Sequence, residues 1–106
     1  MKKQPLPDWI VHHLDSGKAE DILLLDIRAK TTLADTMIVA TGTSTRHVMA
    51  LAHNLVKELK KKDRSPLNDI TKSDGQWAVV DLGDILVHLF TSEARLTYDL
   101  ESLWAD

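Results

Sequence analysis

The residues best placed to do chemistry are Gly42-Thr43-Ser44, the carboxylates Asp81 and Asp84, and five histidines, His12, His13, His47, His53 and His88. A Gly-Ser turn between a strand and a helix aims backbone N–H groups at one point and can cradle a phosphate. A P-loop, however, ends its glycine-rich turn in Gly-Lys-Ser/Thr, and no such tripeptide occurs. A nucleotidyltransferase would follow the turn with paired carboxylates that hold metal ions. About ten residues on stand Asn54-Leu55-Val56-Lys57, with no such pair. Ser44 reads better as a helix cap.

Asp81 and Asp84 bracket a turn, where two close carboxylates can share a proton or bind a cation. Aspartate in a turn more commonly bonds its own backbone. Helical metal pairs want histidines at i,i+4. His47 and His53 are six apart, adjacent His12 and His13 diverge, and His88 lies inside a strand-like run. With 0 Cys and no Gly-x-Ser-x-Gly elbow, no nucleophile stands out. The expectation is no catalytic residue, no cofactor and no metal: a binding protein and not an enzyme.

The elements that would position these residues follow from periodicity. Pro7 to Ser16 predicts a short helix with Ile10 and Leu14 on one face and Gly17 as its stop. Ile22–Ile27 is a nearly unbroken apolar run, the pattern of a strand buried on both faces. A second strand runs from Thr36 to Thr41. After Ser44 the long helix carries Val48, Leu51, Ala52, Leu55, Val56 and Leu59 as one stripe. It ends in Lys60-Lys61-Lys62, a charge the helix dipole favours without any nucleic acid. A short edge strand is expected around Leu67–Ile70. Gln76–Asp81 and Ile85–Phe90 form a hairpin through Leu82-Gly83-Asp84. Ser92 to Trp104 spaces Leu96, Leu100 and Leu103 as a terminal helix. The sum is an α+β or α/β domain, a mixed sheet of four or five strands flanked by helices, with residues 1–106 as one domain.

Composition agrees with a soluble globular protein: 43% hydrophobic and 27% charged, with net charge −3. Gripping RNA by counterion release needs a dense basic face, so little direct nucleic acid contact is expected. The start of the chain has no apolar signal region and no run long enough to span a membrane, and a cytoplasmic location is the expectation. Binding has better candidates. Trp77 opens the hairpin and shares a strand face with Val79 and Asp81, Phe90 closes it, and Leu82 is an apolar residue on a turn, a place that fits a core poorly. Trp77 either completes the core or anchors a partner.

Three blocks carry a resemblance across nearly the whole chain: Ala34-Asp35-Thr36-Met37-Ile38-Val39-Ala40-Thr41-Gly42-Thr43-Ser44-Thr45-Arg46-His47-Val48, Gly75-Gln76-Trp77-Ala78-Val79-Val80-Asp81-Leu82-Gly83-Asp84-Ile85-Leu86-Val87-His88, and Arg95-Leu96-Thr97-Tyr98-Asp99-Leu100-Glu101-Ser102-Leu103-Trp104. In these the chain resembles the ribosomal silencing factors, the RsfS or Iojap-like family. It departs at Thr36-Met37, where many relatives carry an aromatic pair, and at Asp63, where many carry Gly.

The resemblance implies a nucleotidyltransferase-like topology without the catalytic carboxylates. It implies a factor that binds ribosomal protein L-fourteen of the large ribosomal subunit, sterically blocks joining of the subunits and represses translation under nutrient limitation. Organelle relatives act in large-subunit assembly, and homodimers occur. Mapped onto this sequence, Trp77, Leu82 and Asp84 become the leading candidates for the partner surface, with Asp81 and Phe90 behind them, while Tyr98 and Trp104 dock the terminal helix. Two other classes stay open: a nucleotide-using enzyme built on the Gly42–Ser44 turn, and a module whose hairpin pairs with its own copy.

Overall fold

The structure is a computed structural model that describes residues 5–100. Its elements are α1 (Leu6–Ser16), β1 (Glu20–Asp26), β2 (Thr36–Gly42), α2 (Thr45–Lys61), β3 (Asn68–Lys72), a 3-10 turn at Ser73–Gly75, β4 (Trp77–Asp81), β5 (Ile85–Thr91) and α3 (Ser92–Tyr98). The five strands form one sheet in the order β1-β2-β5-β4-β3. β2 and β5 run parallel, and the other three pairs are antiparallel. The expected mixed α+β sheet is therefore present, with five strands and three helices.

Period-2 alternation gives the two central strands a separate core on each face. Ile38 and Ala40 of β2, Val87 and Leu89 of β5 and Ala78 and Val80 of β4 face α1 and α2. There they meet Ile10, Leu14, Val48, Leu51, Leu55 and Leu59, the apolar stripes read from the helical spacing. Met37, Val39 and Phe90 face the other way, against Ile27, Ala34 and Ala94. Among the described residues, α3, Leu100 and the loop between β1 and β2 supply cover on that side.

Local signals explain the boundaries. Ser44 caps α2, its Oγ accepting from the His47 N–H at 3.1 Å. At the far end Lys60 and Lys61 occupy the last turn, Lys61 pairs with Glu58 at 3.1 Å, and the Lys62 ammonium lies 4.7 Å over the Trp9 ring. Gly17 ends α1 with an ordinary negative φ of −83°, and the left-handed residue is Lys18. What Gly17 supplies is room: a Cβ there would stand 2.9 Å from Leu51 Cδ2.

Two expectations are corrected. The apolar run Ile22–Ile27 is not a strand buried on both faces. It forms most of an edge strand, paired only with β2, and Leu24 is 41% exposed. A length of apolar residues reports affinity for a core but not which neighbours the topology provides. The helix expected from Ser92 to Trp104 is interrupted: α3 ends at Tyr98, Asp99 takes a left-handed conformation, and helix resumes at Leu100. The expected packing of Leu103 and Trp104 lies outside the described residues.

A candidate docking face on the open side of the sheet

The side of the sheet away from α1 and α2 is where the candidate residues gather. β4 presents Trp77, Val79 and Asp81 there, all half-buried, while Ala78 and Val80 point into the helix-covered core. Register sets Trp77 beside Phe90, Val79 beside His88 and Asp81 beside Leu86 on β5. On the outer side the same residues meet Lys72, Ile70 and Asn68 of β3. Among the described residues, α3, Leu100 and the β1–β2 loop lie on this side, and an apolar strip of Val79, Leu86 and Ile70 stays partly open.

Trp77 is the centre of an aromatic cluster. Its ring centroid lies 4.5 Å from Tyr98, 5.1 Å from Phe90 and 5.8 Å from His88. The Tyr98 hydroxyl is within 2.8 Å of Ser73 Oγ, tying α3 to the 3-10 turn, and the Lys72 ammonium sits 4.8 Å over the indole. The indole Nε1 donates to His88 Nδ1 at 3.0 Å. His88 is held neutral: burial and the nearby Lys72 ammonium push its pKa down to about 4.

The five candidate residues divide. Trp77 and Asp81 share the open face, and Asp84 stands exposed at the hairpin end, 3.4 Å from the Arg64 guanidinium. Asp81 Oδ1 accepts from the Gly83 N–H at 2.8 Å, the turn-stabilising role expected of an aspartate there. Gly83 takes the positive φ, +90°, that the turn needs.

Leu82 is a correction. It is only 9% exposed and belongs to the helix-covered core, because the Leu82 N–H to Ile85 O bond folds the turn inward. Phe90, 1% exposed, lies inside the second core beneath the cluster and cannot meet a partner directly. Sequence reading set Val79 on this face but missed Leu86, Ile70 and His88. Carrying the alternation from Trp77 across the hairpin to Phe90, and back through His88 and Leu86, would have found two of the three.

Carboxylates also gather at the hairpin end on the α1 side of the sheet. Asp8, Asp26, Asp35 and Asp84 line one cleft with Leu24, Ile85 and Arg28. Arg28 bonds Asp26 through two side-chain contacts and holds that carboxyl below its usual range. The Asp84 backbone oxygen accepts from both Asp35 and Thr36, which fixes the hairpin end to the start of β2. Among the described residues no group of three or more His, Asp or Glu is placed to hold a metal, and no helix is long and apolar enough to cross a membrane.

The Gly42–Ser44 turn is committed internally. The Thr43 N–H donates to His47 Nδ1 at 2.9 Å, Ser44 Oγ serves the helix cap, and His47 Nε2 reaches Gly17 O at 2.9 Å. A Cβ on Gly42 would come within 2.8 Å of Val48, so this glycine permits close packing of β2 on α2.

Comparison with known proteins supplies the frame for these features. The sequence profile of the family described as "Ribosomal silencing factor during starvation" matches residues 2–106. A protein of Haemophilus influenzae named ribosomal silencing factor RsfS is 42% identical over 100 residues, covering 94% of this chain and 98% of that one. A mouse protein named mitochondrial assembly of ribosomal large subunit protein 1 is 39% identical over 100 residues, 92% of this chain and 44% of its own length. A crystal structure of a Chromobacterium violaceum protein superposes with a TM-score of 0.90 at 36% identity, covering 98% of this chain and 87% of the other. The Haemophilus and mouse relatives are named for ribosome silencing and for assembly of the large subunit, not for enzymatic reactions.

Proposed function

Since the chain belongs to the ribosomal silencing factor family, we propose that it acts by occupancy: it docks on the large ribosomal subunit through ribosomal protein L-fourteen and sterically blocks joining of the small subunit. Translation would fall as a result. The observation that carries this reading is the open sheet face, where a half-buried indole and an apolar strip lie beside exposed carboxylates. Partner surfaces concentrate their energy in a few aromatic and apolar anchors, with charge at the rim for orientation. Asp81 and Asp84 suit a basic ribosomal protein and repel RNA phosphates. Phe90 supports this face from within, and Leu82 seats the hairpin turn in the helix-covered core. The residues act as one domain, in the cytoplasm, with no bond made or broken.

Sedimentation with isolated large subunits tests the face. Trp77→Ala should co-migrate poorly, losing about 2–4 kcal/mol of binding, while its circular dichroism stays native. Undiminished co-migration would remove Trp77 from the interface. An unfolded variant would show that the indole serves the core alone.

A second reading has one observation of its own. The mouse relative is named for assembly of the mitochondrial large subunit, and the same docking would let this chain act during assembly. Depletion that slows maturation of large subunits, with joining of mature subunits unaffected, would favour it.

A further inference from the structure

We propose that His88 is a positioning residue for the docking face: it fixes the Trp77 indole against the sheet, so that ring carbon and not the indole N–H meets the partner. This rests on the docking reading above. Trp77 stands opposite Phe90 and Val79 opposite His88, which makes His88 the diagonal neighbour of Trp77 on one face of the ladder. The Trp77 Nε1–H donates to His88 Nδ1 at 3.0 Å. Only the imidazole tautomer with its proton on Nε2 can accept there. His88 is 8% exposed; among the described residues the charged group set against the pair is Lys72, 4.8 Å over the indole, and the Tyr98 hydroxyl turns to Ser73.

The consequence is a pre-set surface. A half-buried indole at the end of a strand has several rotamers, and fixing one on binding costs affinity. Here the hydrogen bond and the ring contacts to Phe90 and Tyr98 select the rotamer on folding. The N–H is already used, so a partner that satisfies its polar groups through Trp77 gains nothing. A partner presenting an aliphatic pocket or an arginine plane to ring carbon does.

Two variants of the full chain separate positioning from mere core filling. His88→Leu fills the space but cannot accept the bond, whereas the Asn oxygen in His88→Asn reaches near the place of Nδ1. The first readout is the nitrogen-15 resonance of the Trp77 indole N–H, assigned by its loss in Trp77→Phe, with its rate of solvent exchange. The second is binding to isolated large subunits.

We expect His88→Leu to displace the indole resonance, speed its exchange and weaken binding about ten-fold, and His88→Asn to restore most of both. A folded His88→Leu whose indole resonance is unmoved, or which binds as tightly as the parent chain, overturns the positioning role. If that variant does not fold, His88→Gln, whose acceptor lies one bond farther out, replaces it under the same criteria. Loss of binding in Trp77→Ala with full binding in His88→Leu leaves the docking face standing and removes only His88. Full binding in Trp77→Ala removes both.

Discussion

Trp77 and His88 form one polar contact inside an aromatic cluster, and the burial of His88 beside Lys72 gives the imidazole a measurable acid signature. The folded pKa of His88, about 4, lies below the value near 6.5 of a free imidazole. The unfolded chain therefore binds a proton that the folded chain refuses, and folding loses stability as pH falls from about 6.5 toward 4. Above that window the contribution is complete, and below it the loss levels off. The difference between parent and His88→Asn in urea-derived stability should narrow by about 2–3 kcal/mol between pH 7.5 and 4.5. Parallel pH profiles for the two proteins would show that His88 is not held neutral.

Asp84 shows the opposite behaviour at the same scale. It is exposed, and its pair with Arg64 is long at 3.4 Å, so it adds roughly 0–1 kcal/mol to stability. Asp84→Lys should unfold within that margin of the parent chain yet bind large subunits more slowly, with the defect shrinking at high salt. A salt-independent defect would mean the site was distorted.

Elements carry the next set of expectations, because the face is held in place by the helix behind it. Leu55 is fully buried on α2 against the sheet, and Leu55→Ala should cost roughly 2–5 kcal/mol. Ser44→Ala removes one cap bond and should cost about 1 kcal/mol. Thermal melts at neutral pH check both, and a Ser44→Ala loss as large as that of Leu55→Ala would assign the hydroxyl a role beyond the cap.

These elements also show what the sequence made legible. The stripe Val48-Leu51-Leu55-Leu59 and the hairpin around Gly83 announce themselves through period and turn chemistry, which are local. The edge position of β1 does not, since the run Ile22–Ile27 looks alike with one neighbouring strand or two. Leu82 misled for a related reason: a turn residue's exposure depends on which way the chain folds after it, and here the Leu82–Ile85 bond accompanies a side chain turned into the helix-covered core. Alternation made Trp77 and Asp81 readable as sharing one strand face, while Asp84 entered as a candidate through the family resemblance. His88 was not readable, because its importance arises only when register sets it diagonal to the indole.

At the scale of the whole molecule the physical quantity is thickness. The fold measures 40 × 30 × 22 Å, and its core is close-packed, as protein interiors are, so it does not thin under load. Seated on a face that two large bodies must bring together, such an object keeps them about 22 Å apart at its thinnest, beyond the reach of the contacts that would hold them. Blocking is then a matter of occupancy. Light scattering of mixed small and large subunits should lose its joining amplitude as the chain approaches one copy per large subunit, at concentrations above the dissociation constant, and Trp77→Ala should shift the titration to higher concentration by the factor lost in binding. Order of addition should matter as well. On the proposed docking, joined subunits would cover the seat, and the chain would enter only when they separate by themselves. The decay of pre-joined particles should follow their own dissociation rate and stay independent of chain concentration. A decay that accelerates with added chain would mean that the chain pries the subunits apart, for which an open sheet face behind a rigid core offers no mechanism.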